Sequence, residues 1–177
     1  MLRTLFFAAA FAMAFTGVVR AQDTDPENTL ILQLKSGPVV IKMLPDVAPK
    51  HVAQIKKLVR DKFYDGIIFH RVIDGFMAQT GDPTGTGAGG SDLPDIPAEF
   101  SKVPFERGTV GMARTNDPNS ANSQFFIMFA PGHFLDGKYT VWGQVVSGMK
   151  NVDKIAHGEP PANPDKIISL RVAADVK

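Results

Sequence analysis

The run Phe69-His70-Arg71-Val72-Ile73-Asp74-Gly75-Phe76-Met77-Ala78-Gln79-Thr80-Gly81-Asp82 alternates apolar and polar residues around one arginine and one glutamine. If its two halves pair across the Ile73-Asp74-Gly75 turn, Arg71 and Gln79 can face the same side, because strand side chains alternate. A guanidinium is permanently charged, rigid and forked. Set beside apolar rings, it can stabilise an electron pair exposed during a reaction without any covalent step. Taken alone, Arg71 reads first as a solvated strand arginine; the surrounding motif is what reverses that. A second run, Ser123-Gln124-Phe125-Phe126-Ile127-Met128, is apolar at nearly every position. Phe125 and Ile127 flank Phe126 at odd offsets, so they should point into the core while Phe126 points the other way.

Other chemistries find little support. The chain of 177 residues has no cysteine, and its four histidines, His51, His70, His133 and His157, are scattered. No two of them sit at metal-ligand spacing, so neither a metal site nor a cofactor is expected. His70, next to Arg71, should turn inward as a structural histidine. Gly85-Thr86-Gly87-Ala88-Gly89-Gly90 lacks the Lys-Ser/Thr that completes a phosphate loop and reads as a flexible loop on the substrate side. Ser123 has no G-x-S-x-G elbow around it, which disfavours a hydrolase. A net charge of +1 excludes a nucleic-acid binder driven by bulk charge.

The elements that must hold these runs are short. Sixteen Gly and thirteen Pro point to many turns, and thirteen Phe against one Trp and two Tyr to a phenylalanine-rich core. Strand patterns are expected at 29–35, 39–43, 67–72, 76–79, 109–113, 124–129, 140–146 and 167–172. Ser36-Gly37-Pro38 should turn the first hairpin. Residues 45–63 switch to helical spacing, with Val52, Ile55, Leu58 and Val59 on one face and Pro49 in the first turn. A short helix follows at 149–156. The segment 80–104, rich in Gly, Pro and Asp, has the character of a long functional loop. The expected fold is all-β: a closed eight-stranded antiparallel barrel capped by two helices.

Residues 1–21 read as a signal peptide: Met1-Leu2-Arg3, then an apolar run from Leu5 to Phe15, then Val19-Arg20-Ala21 as a cleavage site. The apolar run is broken by Thr16-Gly17 and falls short of the roughly 20 residues that a membrane anchor needs. Residues 22–28 read as a flexible linker, and 29–177 as one domain. Export to the periplasm or the medium follows, with no membrane attachment after cleavage.

Taken together, Phe69-His70-Arg71, Gly75-Phe76-Met77-Ala78-Gln79, Gly81-Asp82, Gly87-Ala88-Gly89-Gly90, Gly108-Thr109-Val110-Gly111-Met112-Ala113, Asn122-Ser123-Gln124-Phe125-Phe126-Ile127 and Leu135-Asp136-Gly137-Lys138 resemble the motifs of the cyclophilins, in that family's order. The resemblance runs from Thr29 to Val172 and looks like the bacterial exported branch. It implies a monomeric peptidyl-prolyl cis-trans isomerase that turns X-Pro bonds in unfolded or extended chains and helps exported proteins fold. The rival implication is a proline-segment-binding chaperone or scaffold with little catalysis. By resemblance, the catalytic residues are Arg71, Gln79, Phe76 and Phe126, with Gln79 holding the guanidinium and contacting the substrate carbonyl. Met77, Ala113, Arg114, Gln124, Phe134, Leu135 and Tyr139 would bind substrate.

Three positions depart from many eukaryotic members. Phe134 stands where they have a tryptophan that contacts cyclosporin, so weaker cyclosporin binding is expected. Tyr139 replaces a pocket histidine. Arg114 replaces an asparagine and would add a positive rim that favours acidic residues beside the proline.

Overall fold

The computed structural model describes residues 25–176. The expected signal peptide therefore lies outside the described residues. Of the stretch read as a linker, Pro26–Asn28 forms a 3-10 turn that Asp25 caps by accepting a hydrogen bond from the Glu27 amide. Glu27 is ion-paired to Arg60, and Arg60 also holds Asp175 near the other end of the domain.

Eight antiparallel strands form one sheet: β1 (Thr29–Leu34), β2 (Gly37–Met43), β3 (Arg71–Ile73), β4 (Met77–Thr80), β5 (Thr109–Met112), β6 (Phe125–Met128), β7 (Val141–Ser147) and β8 (Ser169–Val172). Their order is β3-β4-β6-β5-β7-β2-β1-β8. β1 and β2 make a tight hairpin in which Leu34 faces Gly37, with Lys35-Ser36 as the turn. Alternation along both strands buries Leu30, Leu32, Leu34, Val39, Ile41 and Met43 on one side.

The expected closed barrel is corrected here. The sheet is an open, curled half-barrel, and its end strands β3 and β8 do not pair with each other. β3 begins only at Arg71, later than the 67–72 pattern suggested. The residues before it meet the chain ahead of β8 through an isolated bridge, Ile68 with Lys166. Val72, within β3, bonds instead to Gly158 through two 2.8 Å hydrogen bonds. The seam is thus stitched by loop backbone rather than by a ladder.

Two helices accompany the sheet. α1 (Pro49–Arg60) is shorter at both ends than the 45–63 pattern, with Pro49 in its first turn as expected. It buries His51, Val52, Ile55, Leu58 and Val59. The Glu99 carboxylate accepts hydrogen bonds from the Lys50 and His51 amides (3.1 and 3.0 Å) and lies 2.7 Å from His51 Nδ1. It thereby satisfies first-turn donors that a helix leaves unpaired. α2 (Met149–Val152) is a single turn, not the longer helix expected over 149–156.

The apolar residues divide into two clusters. The larger one fills the inside of the curl and contains Phe125, Ile127, Trp142, Tyr64 and the α1 residues. The smaller one lies on the other face and contains Met77, Phe105, Phe126, Met128, Leu135 and Val141. β6 feeds both, its side chains alternating between them as the sequence implied. The outer cluster is the floor of the site.

Candidate active site

β3 and β4 turn back on each other so that Arg71 lies opposite Gln79, and Ile73 opposite Met77. Gly75 takes φ 67° in the turn, a conformation that costs glycine no Cβ clash. The Phe76 amide closes the turn by donating to the Ile73 carbonyl at 3.0 Å. Ten residues line one cavity of about 280 Å³: Arg71, Phe76, Met77, Gln79, Ala113, Arg114, Phe126, Phe134, Leu135 and Tyr139. Each was named in the sequence analysis. Gln124, the remaining one, faces a neighbouring polar cavity of about 420 Å³ instead.

The cavity has a stiff floor. Phe126 is 5% exposed and stacks on Phe105, with centroids 5.7 Å apart and planes at 22°. Tyr139 meets Phe126 edge-on at 6.1 Å. The stack fits because Gly111 lies beneath it: a Cβ there would come within 2.5 Å of both Phe105 and Phe126 ring carbons. Met77 and Leu135 are buried beside it. At the rim, Phe76 and Phe134 lie 5.4 Å apart, and Phe134 is 63% exposed. Apolar walls that are already packed bind an apolar ring with little further loss of freedom.

Around Arg71 the structure corrects the expected pairing. Gln79 does not hold the guanidinium; Glu159 does, accepting a hydrogen bond from Arg71 Nε at 2.6 Å. Gln79 Nε2 donates instead to Gln124 Oε1 at 2.9 Å. Gln124 Nε2 in turn donates to the carbonyls of Gly87 and Gly89 at 3.0 and 2.8 Å. Two carbonyl acceptors require a nitrogen at that end of the Gln124 amide. This directs its oxygen to Gln79 Nε2 and fixes that amide too.

The glycine loop that supplies those carbonyls is organised around a carboxylate. Asp82 is 1% exposed and accepts from the Thr84 amide and hydroxyl at 2.7 Å each. It also accepts from the amides of Thr86, Gly87 and Gly89 at 3.0, 2.6 and 3.2 Å. The donors that would cradle an external anion are thus occupied by this one. Burial by itself would raise the Asp82 pKa, but the Thr84 hydroxyl and the loop amides outweigh it and hold the group at about 2. Close by, His70 is buried, and among the described residues neither ring nitrogen has a hydrogen-bond partner. Its pKa is lowered chiefly by burial. Ser123 is also structural: its hydroxyl donates to the Gly81 carbonyl, and its own carbonyl accepts from Tyr64.

The other side of the cavity is set by Ala113 and Arg114. The Ala113 amide donates to the Gln124 carbonyl at 2.9 Å, extending the β5–β6 pairing past the strand end. The Arg114 guanidinium lies 4.3 Å above the Tyr139 ring and donates to the carbonyls of Thr115 and Lys138, each at 2.8 Å. It forms no ion pair among the described residues, so the groove keeps its charge.

The comparisons with known proteins agree with this geometry. A family model described as "Cyclophilin type peptidyl-prolyl cis-trans isomerase/CLD" matches residues 29–172. The chain belongs to the cyclophilins. A probable peptidyl-prolyl cis-trans isomerase of Brucella suis biovar 1 is 57% identical, with 99% of this chain and 98% of the relative covered. Among solved structures, the cyclophilin AquaCyp293 from Hirschia baltica superposes with a TM-score of 0.81 at 35% identity, over 87% of this chain and 77% of that one. A Cryptosporidium parvum cyclophilin-type isomerase, solved in the presence of the dipeptide Ala-Pro, gives a TM-score of 0.76 at 26% identity, over 81% and 98%. This protein is a cyclophilin-type peptidyl-prolyl cis-trans isomerase, and no finding favours the non-catalytic chaperone reading.

Two residues of this cyclophilin site escaped the sequence analysis. Glu159 sits in a Pro-rich stretch with no strand or helix pattern, and only the fold brings it to Arg71. Phe105 ends the long loop and looked like one more core phenylalanine. The anchoring role of Asp82 had a local signal: a carboxylate just ahead of Thr and Gly residues is a frequent backbone-binding turn.

The Asp82 network makes stability depend on acid. Its folded-state pKa of about 2 lies below the ordinary value of 3.8, so the contribution is complete above 3.8 and fades as pH falls from there toward 2. Asp82→Ala is expected to cost about 2 kcal/mol of unfolding free energy at neutral pH. In denaturant titrations across pH, the gap between wild type and variant should narrow below pH 3.8; a gap independent of pH would contradict this account.

Proposed function

We propose that Arg71 is the electrostatic catalyst of X-Pro isomerisation and that the outer apolar cluster is the proline niche. The peptide bond resists rotation because nitrogen shares its lone pair with the carbonyl, giving a barrier of ~18–20 kcal/mol. In the twisted state conjugation is lost and the nitrogen regains a localised lone pair. A fixed donor aimed there binds the twisted state better than either planar state, which is what acceleration requires. A thousandfold effect needs about 4 kcal/mol, within reach of one charge-assisted hydrogen bond plus orientation of the substrate.

One observation supports this reading above the others: the Arg71 guanidinium and the Phe126 ring, carried by different strands, line the same cavity. Phe76, Met77, Phe126, Phe134 and Leu135 grip the proline ring while the flanking chain turns. Ala113 and Tyr139 border the path of an extended peptide, and Arg114 adds positive charge that favours acidic neighbours of the proline. Gln79 keeps a role as a contact to the substrate carbonyl, its amide oriented by Gln124. The Ala-Pro dipeptide in the Cryptosporidium parvum structure supports proline-containing chains as the substrate class. No bond is made or broken, so no cofactor takes part.

The site of action we propose is the periplasm, on exported chains that are still unfolded, reached by a monomer through the leader at 1–21. Phe134 in place of a tryptophan removes an indole N–H from the rim, which weakens cyclosporin binding.

Three outcomes are expected. Arg71→Ala lowers kcat/KM for a proline peptide roughly 100- to 1,000-fold, with little change in thermal midpoint because its ion pair is exposed; wild-type turnover in that variant would refute the assignment. Phe134→Trp tightens cyclosporin inhibition relative to the parent enzyme, measured as inhibitor concentration at half activity. Protein recovered from the periplasmic fraction should begin at Gln22 by N-terminal sequencing, whereas an intact leader on cytoplasmic material would overturn the export reading.

A further inference from the structure

We propose that Glu159 is a positioning residue of the isomerisation, holding the Arg71 guanidinium by its Nε edge so that the two Nη amines are presented to the proline niche. The proposal rests on Arg71 being the donor and assigns the group that aims it. An arginine side chain has four rotatable bonds beyond its backbone, and one that roams in solvent supplies no preorganised field. The Arg71 side chain is 43% exposed, and its only hydrogen bond among the described residues is the one from Nε to Glu159 Oε2, at 2.6 Å. That bond uses the one guanidinium donor that points back along the side chain. Both terminal amines stay available.

Placement argues the same way. Arg71 lines both the site cavity and an adjoining recess, as Gln79 does. Glu159 lines only the recess, together with His70, Thr86 and Gly87. Because Glu159 is not among the residues lining the site cavity, it steers the donor without standing in the proposed niche. The backbone beside Glu159 is anchored: its neighbour Gly158 exchanges two 2.8 Å backbone hydrogen bonds with Val72, the residue after Arg71. The backbone that carries Glu159 is thus held beside β3, next to Arg71. Gln79, from which this service was expected, makes no hydrogen bond to the Arg71 guanidinium among the described residues; its amide nitrogen donates to Gln124.

A residue that aims a donor affects turnover rather than affinity. Glu159→Ala should lower kcat about tenfold with KM nearly unchanged. Glu159→Gln, which keeps an acceptor oxygen, should stay within about threefold of wild type. The thermal midpoint of each variant checks that the fold is retained, as expected for a half-exposed side chain. By NMR, the Arg71 Nε–H resonance should move and exchange faster with water in Glu159→Ala. Wild-type kcat in Glu159→Ala, a loss confined to KM, equal losses in the Ala and Gln variants, or an unmoved Nε–H resonance would each overturn the proposal. If Arg71→Ala itself kept full activity, the fault would lie with the donor assignment; if only the Glu159 variants were silent, it would lie here.

Discussion

A strand with apolar side chains on both faces must be covered twice, and the rest of this molecule follows from how β6 meets that demand. Phe125 and Ile127 are covered by the curl of the sheet, with Trp142 and Tyr64 among the rings that enclose them. Phe126 and Met128 have no second sheet above them. They are covered by Phe105, Leu135 and Val141, together with Met77 from the neighbouring strand. That covering layer is incomplete, and the gap it leaves is the cavity proposed as the proline niche. The hydrophobic effect thus shapes the site as a by-product of finishing a core.

The polar half of the site is built on the opposite logic. Here a chain of hydrogen bonds runs from one buried carboxylate to the reacting group's neighbour. Asp82 gathers the loop amides, the loop offers the carbonyls of Gly87 and Gly89, Gln124 reads those carbonyls, and Gln79 follows Gln124. Each member has its donor and acceptor ends assigned by the one before. Such networks are rigid because any rotation leaves a partly buried polar atom unpaired. The glycine-rich segment that looked flexible in the sequence is accordingly held by hydrogen bonds from its own amides to Asp82.

Much of this was legible in the residues. Period-two patterns located the strands, and odd and even offsets assigned Phe125, Phe126 and Ile127 to their faces. The Arg71 and Gln79 pairing followed from a turn with glycine in it. Missing was what depends on distance along the chain. Closure of the barrel was expected because eight short strands suggest it, but strand count does not say whether the last meets the first. Val72 pairs with a loop, and the seam opens there. Glu159 was missed for the same reason: no local pattern marks a loop carboxylate that folding delivers to an arginine far upstream. The partner of Arg71 was taken from the family resemblance, which offered Gln79, whereas in the structure Glu159 accepts from its Nε.

The open seam has a bearing on how such an enzyme can diverge. Among the described residues, the backbone of residues 157–161 pairs with the sheet through the isolated bridge at Gly158, outside the ladders that order the strands. The exposed Glu159 side chain belongs to neither apolar cluster and to no strand ladder. The residue beside Arg71 can therefore drift from one lineage to the next at low cost to folding, and a fully closed cylinder would not offer that latitude.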